Sequence, residues 1–101
     1  MAKERRRADA QAAAEALAVQ ALTFLAGDPA RLGRFLAETG ISPQAIRAAA
    51  QEPGFLAGVL SYIVGKESLL VAFAGDAGVT PAEVVRAHAA LAGAAWEREV
   101  P

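Results

Sequence analysis

The chain has 101 residues, one domain's worth, and although 54% are hydrophobic, 27 residues are alanine, which favours helix but buries little area per side chain. Its net charge of −1 is unevenly spread: residues 1–7 hold Lys3, Arg5, Arg6 and Arg7 against Glu4, and the other 94 residues carry six basic and ten acidic groups, not the footprint of a dedicated nucleic-acid binder. There is no cysteine, which excludes disulfides, thiolate metal sites and cysteine nucleophiles and fits a cytoplasmic protein best.

The first eight residues read as a basic, flexible N-terminus. The next stretch, ADAQAAAEALAVQAL, is interrupted by Asp9, Gln11, Glu15 and Gln20, so it is not the apolar core of a signal peptide. A single helical domain is expected over residues 9–92. Its first helix runs from near Asp9, or earlier, to Ala26, with Ala10, Ala14, Leu17, Ala21, Phe24 and Leu25 on one broad face and Gly27 as the stop. Asp28-Pro29 then supplies an N-cap and a first-turn proline for a second helix, which turns Leu32, Phe35 and Leu36 inward. Arg34 and Glu38, four apart, have the spacing of an exposed pair.

The junction Gly40-Ile41-Ser42-Pro43 predicts a left-handed helix stop, a cap at Ser42 and a staple of Ile41 onto Ile46. Gly78-Val79-Thr80-Pro81 repeats every part, and Glu83 adds a capping box with Thr80. Between the two, a fourth helix from near Pro53 carries Phe55, Leu56, Val59, Leu60 and Ile63. Gly54 and Gly58 within it predict a close approach of a neighbouring helix. A fifth helix, Glu67 to Ala77, buries Leu70, Phe73 and Ala77. The fourth and fifth together read as a buried helical hairpin at the centre of the fold. Lys66 and Glu67 split this stretch into arms too short to cross roughly 30 Å of hydrocarbon, so no membrane association is expected. The sixth helix is expected to end near Leu91 or Ala92, with residues 93–101 a flexible tail.

Laying residues 17–51 over 55–89 matches Leu22/Leu60, Gly27/Gly65, Leu32/Leu70, Phe35/Phe73, Gly40/Gly78, Pro43/Pro81 and Ala49/Ala87 without a gap. The matches are stops, starts and apolar positions. The expected fold is therefore all-α, a compact six-helix bundle built from two three-helix repeats with approximate two-fold pseudosymmetry.

Chemistry is harder to find. The Gly-Ile-Ser-Pro junction has the look of a helix-turn-helix, which would put Gln44, Arg47 and Gln51 against DNA, but the helix behind it has little to donate to base edges. The junction also reads simply as a helical corner. Lys3, Arg5, Arg6 and Arg7 could contact phosphates, including those of nucleic acid, an acidic partner or an anionic surface, or be no more than a solvated, disordered start. His88, the lone histidine, sits at the edge of the sixth helix's apolar face, and its repeat counterpart is Ala50. It reads as a helix-edge residue or as a pH-responsive or ligand-contacting group. One histidine without cysteine builds no usual metal site, and no catalytic set or cofactor motif is legible, so no enzyme and no cofactor are expected. Val19, Val71 and Val85 fall off the inward stripes and, with Trp96, are either candidates for a partner or homodimer contact or are covered by six-helix packing that uses more than one face per helix.

Residues 14–91 resemble a family of small bacterial proteins known as domain of unknown function 3572. The specific segments are Ala21-Leu22-x-Phe24-Leu25, Leu32-Gly33-Arg34-Phe35-Leu36, Gly40-Ile41-x-Pro43 and Leu69-Leu70 to Phe73. The resemblance implies a cytoplasmic, stand-alone helical protein and carries no activity with it. The leading expectation is a small non-enzymatic protein-interaction module or adaptor. The alternative is a nucleic-acid-binding accessory protein using the basic N-terminal arm.

Overall fold

Where the helices begin and end is set by a few side chains. In the computed structural model, which describes residues 2–99 and the side-chain surroundings of 4–52 and 54–93, Asp28 accepts from the amides of Ala30 and Arg31 at 2.9 and 3.4 Å. That cap opens the second of six helices: α1 (Ala2–Ala26), α2 (Pro29–Thr39), α3 (Ile46–Ala49), α4 (Pro53–Val64), α5 (Glu67–Ala77) and α6 (Pro81–Glu99). Among the described residues there is no strand. Gly40 and Gly78 close α2 and α5 with φ of 75° and 71°, the left-handed conformation expected of both.

The two junctions then diverge. Thr80 and Glu83 form the capping box, with Glu83 N–H donating to Thr80 Oγ1 at 3.1 Å and Thr80 N–H to Glu83 Oε2 at 2.8 Å. The first junction has Ala45 where the second has Glu83. Ser42 makes no cap there; the chain turns once through Pro43–Ala45 and α3 starts only at Ile46, without a side-chain cap. Without that carboxylate α3 starts late, and Pro53, which opens α4, ends it early, so it is a single turn, whereas nothing comparable interrupts the 19 residues of α6.

Both ends of the chain are more helical than expected. Helix α1 begins at Ala2, because the basic run consists of good helix formers and Glu4 sits in the favourable first turn. Helix α6 continues through Gly93 to Glu99 instead of stopping near Leu91. A glycine inside a helix costs up to about 1 kcal/mol, a penalty that the helix formers around Gly93 outweigh.

The core joins Leu25, Phe35, Val59, Leu60, Ile63, Phe73 and Val84, all fully buried. Ala14, Ala18, Ala21 and Ala87 are buried among them, letting helices approach closely. The centre is not the expected α4–α5 pair. Packing is most extensive between α4 and α6, then α1 and α6, then α1 and α4. The longest helices cross α4 over more turns, whereas the 11-residue α5 leaves α4 at a bend of 112°, a corner rather than a hairpin. Among the described residues no single helix is long and apolar enough to cross a membrane.

Aromatic contacts fix α2 and α5. Phe35 of α2 meets Tyr62 of α4 edge-on at 5.0 Å and Phe55 at 6.3 Å, while Phe73 of α5 meets Phe24 of α1 at 5.5 Å. Each pair adds about 0.5–1.5 kcal/mol beyond the area it buries.

Candidate functional site

Concave surfaces lie on this scaffold among the described residues. One is a cleft of about 400 Å³ where the starts of α2 and α5 face each other beside the end of α4. Its lining is Leu25, Ala30, Arg31, Arg34, Tyr62, Lys66, Ser68, Leu69 and Ala72. Arg31 and Arg34 lie three apart on α2 and so project on the same side. The Arg31 guanidinium rests 4.4 Å above the Phe24 ring, with Asp28 at 3.9 Å. Lys66, at the α4–α5 corner, lies 5.2 Å from the Tyr62 ring and pairs with Glu38 at 3.2 Å.

That last pair corrects an expectation. Glu38 reaches across 28 residues to Lys66 instead of back to Arg34, and Arg34 has no carboxylate within 4.0 Å among the described residues. Both Lys66 and Glu38 are largely exposed, so the bridge contributes under about 1 kcal/mol; its main effect is to leave Arg34 free beside the cleft. The Tyr62 phenol is raised above its ordinary 10.0, first by burial and then by the Glu38 carboxylate, with Lys66 and Arg34 acting the other way.

The second surface, a groove of about 550 Å³ between α1 and α6, is lined chiefly by alanine: Ala10, Ala13, Ala14, Ala16, Ala87 and Ala90, with Leu17 and Val79. Gln20, Glu83 and Arg86 complete its lining. The third is a shallower hollow of about 630 Å³ where Val19, Thr23 and Phe24 meet Asp28 and Asp76.

The residues singled out from sequence are dispersed. Val19, Val71 and Val85 are exposed at 51%, 56% and 42%, but they sit on α1, α5 and α6, and of the three surfaces above Val19 lines one and the other two valines line none. The side chain of Trp96 lies outside the described residues, as does that of Lys3. Arg5, Arg6 and Arg7 are exposed on α1; successive residues turn about 100°, so they ring the helix rather than form one face. The four-residue α3 is too short to act as a recognition helix, which leaves Arg47 on a plain corner. His88 is half-buried at the edge of α6, next to the Val84–Leu91 face. Among the described residues no three His, Asp or Glu side chains gather closely enough to hold a metal ion. Sequence reasoning did not pick out Arg31, Tyr62, Lys66 or Ser68, because what unites them is the packing of α2 against the α4–α5 corner.

A helical bundle with a charged cleft and an alanine groove defines an architecture and no reaction. The chain belongs to the family described as protein of unknown function (DUF3572), which it matches over residues 11–94. No curated protein and no solved structure matches it.

Proposed function

We propose that the protein is a non-enzymatic interaction module that seats one helix of a partner protein in the α1–α6 groove. The observation that carries this reading is the alanine lining. Side chains that stop at Cβ let a second helix backbone come close over several turns, which suits helix-in-groove recognition. Beyond Ala10 the same helix continues into exposed Arg5, Arg6 and Arg7. The matching occupant is an amphipathic helix with a small apolar face and an acidic flank.

The repeat supports the same reading. Under the 38-residue offset Phe24 corresponds to Tyr62 and Phe35 to Phe73, so the Phe35–Tyr62 and Phe73–Phe24 contacts exchange with one another. Such reciprocity is what two units around a pseudo-two-fold axis produce. On this reading α6 is the enlarged counterpart of α3, and the groove is built by the part of the second unit that the first lacks.

Affinity capture from native lysate, coupled to cross-linking, tests the proposal. Ala13→Glu places a charge on an exposed groove residue and is expected to abolish capture of the stoichiometric partner. Val71→Glu, outside the groove, is expected to leave it intact. Equal capture by Ala13→Glu, cross-links confined to surfaces other than α1 and α6, or bound material that a nuclease removes would each overturn it.

A further inference from the structure

We infer that the cleft between α2 and the α4–α5 corner binds a small oxyanion carried on an apolar body, independently of the α1–α6 groove. Three cations, Arg31, Arg34 and Lys66, border one space of about 400 Å³, and none of its lining residues is acidic. Asp28 and Glu38 approach Arg31 and Lys66, but neither carboxylate lines the cleft. Arg34, exposed and without a carboxylate in ion-pair reach among the described residues, is available to a ligand. In a chain whose residues beyond the first seven are net acidic, this is a local reversal of sign that favours an anion in the cleft.

The rest of the lining defines the ligand further. The Ser68 hydroxyl borders the cleft and is free to donate, and the backbone N–H groups of Ser68 and Leu69, in the first turn of α5, have no helical acceptor. Leu25, Leu69 and the Tyr62 ring supply an apolar wall. A bare inorganic ion would meet the cations and leave that wall in water; an anionic group on an aromatic or aliphatic body engages both. The volume falls in the lower part of the roughly 300–1,000 Å³ typical of small-molecule sites. Arginine forks accept phosphate and carboxylate alike, so the shared chemistry is the oxyanion, and experiment decides its source.

A heteronuclear NMR titration of the full chain at low salt, with phenyl phosphate, benzoate and inorganic phosphate as probes, tests this. One or both aromatic anions are expected to saturate a single site, shifting the amides of Ser68 and Leu69, and to bind about tenfold or more tighter than inorganic phosphate. The tighter of the two identifies the source as phosphate ester or carboxylate. Arg34→Gln, at an exposed and unpaired position, is expected to weaken binding by about tenfold or more, and Ser68→Ala to weaken it less. The groove variant Ala13→Glu should bind as the wild type does, so this inference and the partner-helix reading fail separately. Shifts gathered around Arg5, Arg6 and Arg7, binding indifferent to Arg34→Gln, or no saturation by any probe at millimolar concentration would overturn it.

Discussion

Tyr62 is the only tyrosine in the chain, and it touches much of what distinguishes the cleft: the Phe35 ring, Lys66 and the field of Glu38. Burial, and after it Glu38, raises its phenol above 10.0, so the folded chain keeps this proton to higher pH than the unfolded chain does. Above about pH 10 the folded state binds more protons, so the stabilisation is complete below pH 10.0 and is lost as pH rises through the raised value. With one tyrosine, phenolate absorbance reports this residue alone. The native titration is expected to lie above that in denaturant, and Tyr62→Phe should flatten the alkaline fall in stability relative to wild type. A native midpoint at or below the denatured one would contradict the assignment. Nothing local in the sequence revealed that Glu38 would leave Arg34 for Lys66. That choice depends on the angle at which α2 meets the α4–α5 corner.

Glycine has two different roles within the helical elements. Gly78 holds φ of 71°, where any Cβ is strained, and this was legible from its place between an apolar helix and a Val-Thr-Pro start. Gly54 and Gly58 were expected to admit a neighbouring helix, but both are exposed and a Cβ added to either meets nothing within 4 Å. Their spacing has no packing role in the folded chain. Gly58→Ala, in mid-helix, is expected to stabilise the protein by about 0.5–1 kcal/mol through backbone entropy and helix propensity. Gly78→Ala is expected to destabilise it by about 1 kcal/mol or more. Denaturant unfolding of the two variants checks both signs, and a destabilising Gly58→Ala would mean that α4 has a close neighbour after all. The spacing misled because a sequence locates a small residue on a helix without saying which face the neighbours occupy.

At the scale of the molecule, stability is concentrated where α1, α4 and α6 meet. Val59, Leu60 and Ile63 of α4 and Val84 of α6 have no measurable exposure, whereas α3 buries no residue fully. Local opening should track that gradient. In native-state hydrogen exchange the amides of Leu60, Ile63 and Ala87 are expected to exchange only through global unfolding. Those of Arg47 to Gln51 are expected to exchange through local opening several orders of magnitude faster. Uniform protection across α3 and α4 would show that the short helix is an integral part of the core.

The alternation of helix stops, caps and apolar stripes was enough to establish an all-α chain of six helices, because a glycine after an apolar run or a capping residue before one acts within a single turn. The same local chemistry put Phe35 and Phe73 inside and left Val19, Val71 and Val85 outside. Tertiary structure alone decided that α6 rather than α5 packs most extensively against α4, and that Arg31, Arg34 and Lys66 border one cleft. Those outcomes depend on which helices are long enough to cross and at what angle. Such terms couple residues tens of positions apart, and no pattern of spacing along one helix contains them.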